Sequence, residues 1–97
     1  MDKGQVLKAL MNLRASRDLD ALNGVILELF DPSSGPLKSF SVSFNAARKS
    51  GFCILELRSP LTESEAKAIG GLRLGHLVCL EFPFDSDFAL RSAGRRH

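Results

Sequence analysis

Apolar residues near the N-terminus recur every three or four positions, beginning at Val6. Asp2 followed by Gln5 has the spacing of a capping box, in which each residue binds the other's backbone N–H. Together these features predict a helix over residues 3–14, inside an N-terminal helix and arm that covers residues 2–17.

Further along, the apolar pattern changes to one typical of β-strands. Residues 25–30 (VILELF) are rich in strand formers, and residues 37–44 (LKSFSVSF) alternate apolar residues with serines. Residues 52–58 (FCILELR) are apolar on both faces, as expected for a central strand. Residues 76–82 (HLVCLEF) predict a fourth strand, and residues 88–90 indicate a weaker fifth one.

One more helix is predicted between the third and fourth strands. Thr62 and Glu65 have capping-box spacing, and Gly70 with Gly71 ends the segment. Because the other connections are short, neighbouring strands pair antiparallel. We therefore expect a mainly β fold, a small antiparallel β-barrel or strongly bent sheet of four to five strands, with an N-terminal helix and this short helix.

The composition limits the domain organisation and the partners. The 97 residues predict a single domain over residues 1–97, with a β-rich core at 24–90 and a basic flexible tail at 91–97. The net charge of +2 is too small for general nucleic-acid binding, so no nucleic-acid partner is expected. No signal peptide and no bilayer-spanning apolar run is visible, so we expect a cytoplasmic protein without a membrane partner.

The residues that most often carry catalysis or bind metals lie in unpromising surroundings. Cys53 and Cys79 each fall in an apolar run and are interpreted as reduced core residues, with a bridge between paired strands as the alternative. Glu28, Glu56 and Glu81 alternate with apolar neighbours, which indicates a solvated sheet face. We expect no catalytic residue, no metal site and no cofactor, and therefore no enzyme.

Basic residues are the remaining chemical signal. Arg14 and Arg17 lie near the end of the first helix, and Arg48 and Lys49 lie in the turn "NAARKSG" between two strands. Cationic side chains beside turn amides are suited to phosphate, although a solvated surface is the alternative interpretation.

The order of "RASR", "GPLKSFSVSFNAARKSGFCIL" and "LRLGHLVCLEFPF" resembles that of PilZ domains, small antiparallel β-barrels of which many bind the bacterial messenger cyclic di-GMP. The resemblance implies that Arg14 and Arg17 form an arginine arm that grips phosphates and stacks on guanine. It also implies that Asn45 and Gly51 belong to a ligand-binding turn in which Arg48 and Lys49 replace lost contacts. The candidate ligand-binding residues are therefore Arg14, Arg17, Asn45, Arg48, Lys49 and Gly51.

Both ligand motifs depart from the family pattern. Two residues separate Arg14 from Arg17 where the family has three, and Asn45 stands six residues before Gly51 where the family has five. The resemblance thus implies a signalling module that is a weak or degenerate cyclic di-GMP receptor, or an adaptor.

The alternative is a small protein-interaction or inhibitor protein, of mobile-element or phage accessory type, that acts through an exposed sheet edge. The family's barrel has a closing strand after the region of Leu90, and no segment here is assigned to it. Either the barrel stays open or a partner chain completes it, and because an open edge is a pairing surface we expect a protein partner and a homo-oligomer. The element order also resembles double-stranded-RNA-binding domains, but Glu63 and Glu65 stand where that family has a basic cluster.

Overall fold

Helices cover one face of a four-stranded antiparallel sheet in the computed structural model of this chain. The structure describes residues 2–31, 33–45, 47–84, 87, 88 and 92. The helices are α1 (Lys3–Arg14), α2 (Leu19–Leu29) and α3 (Glu63–Ala68). The strands are β1 (Leu37–Asn45), β2 (Ser50–Leu57), β3 (Leu72–Leu74) and β4 (Leu77–Pro83).

The strands are ordered β1-β2-β4-β3, and every neighbouring pair is antiparallel. The expected fold class is confirmed as a four-stranded antiparallel sheet with an N-terminal helix and a short helix before its last two strands. Within the described residues the sheet is not closed, so β1 and β3 are its two edges.

A second helix replaces the strand that we predicted at residues 25–30. Asp18 caps this helix, because its Oδ1 accepts a hydrogen bond of 2.9 Å from the backbone N–H of Ala21. Three residues at helical spacing are buried on its inner face: Leu22, Ile26 and Leu29. The prediction was wrong because a short apolar run can form either a strand or a helix. Packing against α1 buries one face of this segment and stabilises the helix.

The last strand matches its prediction to within one residue at each end. It begins at Leu77 rather than His76, because Gly75 with a φ of 63° and His76 form a tight turn after β3. Phe88, expected in a fifth strand, is helical, whereas Ala89 and Leu90 lie outside the described residues. The expected tail at 91–97 lies outside them too, apart from Ser92.

The core lies between the helices and one face of the sheet. β2 contributes the fully buried Cys53 and Leu55, and β4 contributes Leu80 and Phe82. These side chains share a face, because Cys53 pairs with Leu80 and Leu55 pairs with Val78 in the register. We call this the core face and the opposite one the outer face.

The edge strand β1 is only partly covered. Phe40, Val42 and Phe44 point to the core face, since they pair with Leu55, Cys53 and Gly51 respectively. Yet Phe40 remains 43% exposed and Phe44 remains 46% exposed. The helix α1 packs against β4 rather than over this edge.

Gly51 should not tolerate a side chain. A Cβ there would lie 2.3 Å from Cζ of the buried Phe82 ring, so Gly51→Ala is expected to lower the free energy of unfolding by about 1–3 kcal/mol. Urea unfolding of both proteins, followed by circular dichroism, measures the difference. An unchanged midpoint would contradict this packing.

Gly24 offers a matched substitution with the opposite sign. It lies in the middle of α2, and an added Cβ would meet no atom within 4 Å. Gly24→Ala should therefore raise the free energy of unfolding by about 1 kcal/mol, since alanine favours a helix over glycine. If residues 23 and 24 formed a turn instead, this gain would not appear.

Candidate functional site

A basic cleft of ≈520 Å³ lies where the end of α1 approaches the β1–β2 turn and the end of β4. It is lined by Arg14, Arg48, Lys49, Ser50, Glu81, Phe82 and Pro83. Its three cations come from two segments, because Arg14 lies more than thirty residues before the adjacent pair Arg48 and Lys49. The cleft therefore unites three of the six residues that were candidates for ligand binding.

Arg14 is fixed at the rim of this cleft. It is the last residue of α1, and its Nη1 donates a 2.8 Å hydrogen bond to the carbonyl oxygen of Ile69, which caps α3. The guanidinium lies against Gly70, where a Cβ would come within 2.3 Å of Nη1. Gly70 also has a φ of +72°, a conformation that favours glycine. A side chain at position 70 would therefore be strained and would also clash with the Arg14 guanidinium.

The β1–β2 turn holds Arg48 and Lys49 in defined places. The Asn45 Oδ1 accepts a 3.1 Å hydrogen bond from the backbone N–H of Arg48. Lys49 has a φ of 54°, which is uncommon for a residue with a side chain, and its carbonyl accepts a 3.0 Å bond from Phe84 N–H. The turn is thus anchored to the end of β1 and to the residue that follows β4, while its cationic side chains remain exposed.

The charge of the cleft is positive. Among the described residues, the lining contains three cations and one carboxylate, that of Glu81. In the described part of the chain, neither Arg48 nor Lys49 has a carboxylate oxygen within 4.0 Å. An anion entering the cleft would therefore meet Arg48 and Lys49 without competition from a salt bridge to any residue that the structure describes.

The other three candidate residues have different places. Arg17 is exposed in the loop between α1 and α2 and does not line the cleft. Asn45 holds the turn by its side chain, and Gly51 lies buried beneath the Phe82 ring. Their expected contact with a ligand stays a prediction, and the structure gives Asn45 and Gly51 a structural role as well.

Sequence reasoning missed Glu81 and Gly70 as parts of the site. Glu81 was interpreted only as a solvated residue, and its alternation with apolar neighbours gives no sign of the nearby cations. Gly70 was read as a helix terminator, which it is, since its N–H bonds the carbonyl of Lys67 at 3.0 Å. Its contact with Arg14 depends on how α1 and α3 pack and leaves no trace in the sequence.

A second cleft of ≈320 Å³ contains Lys3 and Arg58, but the protein itself engages both cations. Lys3 Nζ lies 3.4 Å from a carboxylate oxygen of Glu65. Arg58 donates to the carbonyl oxygens of Gly35, at 2.8 Å, and Asp31, at 3.2 Å. These contacts make this cleft a weaker candidate for an anionic ligand than the basic cleft.

Ser39, Glu56 and His76 meet on the outer face, a combination that invites comparison with catalytic triads. Ser39 Oγ donates to one oxygen of Glu56 at 2.9 Å, and His76 Nε2 lies 3.5 Å from the other. The carboxylate therefore separates the hydroxyl from the imidazole, whereas activation of a nucleophile needs the base to contact the hydroxyl. The cluster is a cross-strand polar contact at the sheet surface.

The two cysteines lie on neighbouring strands but on opposite faces. Cys53 pairs with Leu80 while Cys79 pairs with Ile54, so their side chains point away from each other and both thiols are free. Cys53 is buried in the core as expected, whereas Cys79 is half-buried on the outer face, which corrects its assignment to the core.

Burial keeps both thiols protonated near neutral pH. It raises the pKa of the Cys53 thiol from 9.0 to about 12, with a smaller contribution from Cys79. Burial also raises the pKa of the Cys79 thiol, and the charge of Glu81 adds to this. Neither thiol therefore has the lowered pKa of a reactive cysteine.

None of the helices in the described part of the chain has the length and apolarity of a membrane span. The same residues contain no group of three or more His, Cys, Asp and Glu side chains that could hold a metal ion.

Comparisons with protein-family models, with curated proteins and with solved structures give no match to this chain.

Alkylation should distinguish the two thiols. In the native protein at pH 8, iodoacetamide should label Cys79 slowly and leave Cys53 unlabelled, because thiolate is the reactive form and both pKa values are raised. Mass spectrometry of the digested protein gives the rate at each cysteine, with the urea-unfolded protein as the control. Equal native rates at the two sites would contradict their placement on opposite faces.

Proposed function

We propose that this chain is a non-enzymatic binding module and that its basic cleft binds a phosphate-bearing small molecule. Cyclic di-GMP is the ligand implied by the resemblance to PilZ domains, and the departures from the family motifs favour a weak or degenerate receptor. The observation that carries the proposal is the convergence of Arg14, Arg48 and Lys49 on one cleft.

The size and chemistry of the cleft support such a ligand. Its ≈520 Å³ falls within the range of about 300–1,000 Å³ that small-molecule sites occupy. Arginine guanidiniums bind phosphate oxygens in pairs, and lysine adds a compact charge. Arg14 stands on a different segment from the two turn cations, so phosphates on opposite sides of one ligand could each meet a cation.

The cations of this site are exposed, so the binding should be sensitive to salt. Charges at a protein surface are screened within about 10 Å at an ionic strength of 0.1 M. Ligand affinity should accordingly fall between low and physiological salt. This dependence separates phosphate recognition from binding by apolar contacts alone.

Substitution of Arg48 tests the site directly. Isothermal titration with cyclic di-GMP should show binding to the parent and an affinity about five- to tenfold lower for Arg48→Ala, the loss expected for one charge-assisted contact at an exposed site. Arg48 suits this test because the bond to Asn45 uses its backbone N–H and survives the substitution.

Lys8→Ala is the matched control. Lys8 is an exposed cation on α1 that does not line the basic cleft, so its removal changes the net charge equally. An equal loss of affinity in both variants would indicate long-range attraction rather than a site. A parent protein that gives no heat at high concentration would rule out cyclic di-GMP as the ligand.

A second candidate function is interaction with another protein, as an adaptor or inhibitor. One observation favours it: the edge strand β1 leaves Phe40 and Phe44 almost half exposed. An uncovered edge with aromatic side chains is suited to pairing with a further strand. We place this function in the cytoplasm, a location supported by two unpaired cysteines.

A further inference from the structure

The backbone of β1 has hydrogen-bonding groups that face away from the sheet. Phe84 N–H donates to Lys49 O at 3.0 Å, and these two residues adjoin Pro83 and Ser50, the pair at the end of the β2–β4 ladder. Hydrogen-bonded and non-hydrogen-bonded pairs alternate along an antiparallel ladder. The odd-numbered residues of β2 therefore bond to β4, and the even-numbered ones bond to β1. Arg58 N–H, which donates to Pro36 O at 3.0 Å, follows the same alternation.

This alternation decides which groups of β1 are free to pair. The residues of β1 that face the even-numbered residues of β2 are Ser39, Ser41, Ser43 and Asn45. Phe40, Val42 and Phe44 therefore direct their N–H and C=O groups toward the open edge. Phe30 bridges Leu37 at one end, and within the described residues no other segment pairs with this edge.

The sequence along this edge reads the same in both directions. Residues 40–44 are Phe-Ser-Val-Ser-Phe, with Val42 at the centre. If two such strands pair antiparallel around Val42, each Phe40 stands opposite a Phe44 and each Ser41 stands opposite a Ser43. Aromatic pairs then form on the core face and hydroxyl pairs on the outer face, and both kinds stabilise antiparallel sheets.

The one charged residue of β1 favours antiparallel over parallel pairing. Lys38 is its only charged residue and stands near one end. Antiparallel pairing around Val42 places the two copies of Lys38 eight residues apart, or roughly 27 Å. Parallel pairing in register would instead set the two lysines side by side, where like charges repel.

We propose that β1 pairs antiparallel with β1 of a second copy of this chain, centred on Val42, to form a continuous eight-stranded sheet. No residue of the basic cleft is used to argue this proposal, which rests on the second candidate function and names its partner. The assembly closes at two copies, because the other edge, β3, has only three residues.

Proline at position 42 tests this pairing. Its ring would remove the N–H that faces the edge while leaving the bonds between β1 and β2 in place. Analytical ultracentrifugation over a range of concentrations should show a monomer–dimer equilibrium for the parent and for Val42→Ala, which shortens the side chain but keeps the N–H. For Val42→Pro the dissociation constant should rise at least about tenfold. Circular dichroism of both variants confirms that they are folded.

Cysteine cross-linking tests the register without proline. Mixed Ser41→Cys and Ser43→Cys copies, each also carrying Cys79→Ser, should form a disulfide on oxidation, because residues 41 and 43 of different copies would lie about 4.5 Å apart. Ser41→Cys alone is the control, since its two copies would be roughly 8 Å apart. Equal cross-linking in the mixture and the control would overturn the centring on Val42.

Two sedimentation results would overturn the proposal in different ways. A dimer that persists in Val42→Pro would exclude pairing through β1 but would keep interaction between copies as a function. A parent that remains monomeric at every concentration would count against self-pairing altogether. Titration of cyclic di-GMP into the same samples tests the basic cleft separately.

Discussion

The contact between Phe82 and Gly51 is the constraint on which the rest of the structure depends. The ring lies where a side chain at Gly51 would be, and it also contacts Phe44 and Phe88 at centroid distances of 6.0 and 5.6 Å. With no tryptophan or tyrosine in the chain, phenylalanines supply all the aromatic side chains at this end of the core. The contact fixes β4 against β2 directly after the turn that carries Arg48. One wall of the basic cleft and one end of the open edge are therefore set by the same packed ring.

The elements that the sequence predicted correctly are those with two independent local signals. α1 and α3 combine a capping box with a suitable length, and both capping boxes are present in the structure. β1 and β2 combine a clear apolar pattern with a turn between them. α2 lacked this agreement, because Val25 and Ile26 favour a strand and Asn23-Gly24 favours a turn. Its helical signal, a cap at Asp18 and burial at every third or fourth residue, becomes decisive only when α1 supplies a surface to pack on.

The candidate site was predictable only in part, for a similar reason. Arg48 and Lys49 are adjacent in the sequence, so the hairpin turn alone places both of them in the cleft. Arg14 reaches them because α1 ends beside α3, and its bond to Ile69 joins residues 55 positions apart. No pattern within the sequence encodes that contact. The resemblance to PilZ domains implied only that an arginine arm and a basic turn bind the same ligand. Asn45 and Gly51 show a different limit of the sequence. An Asn or Gly at such a position occurs both where a residue shapes a turn and where it contacts a ligand, so the residue type does not separate the two roles.

The β1–β2 hairpin carries both proposed surfaces, which makes them energetically dependent on each other. Pairing around Val42 would bring Lys38 of one copy beside the turn that carries Arg48 and Lys49 in the other, twice by symmetry. These cations would repel one another, and Glu56, whose carboxylate lies 3.8 Å from Lys38 Nζ, offsets part of the repulsion. An anion held at the turn would offset more of it and so favour the dimer. Because linkage is reciprocal, the dimer would then bind that anion more tightly than the monomer does. A ligand of the cleft would thus promote pairing without any change in the fold of either copy.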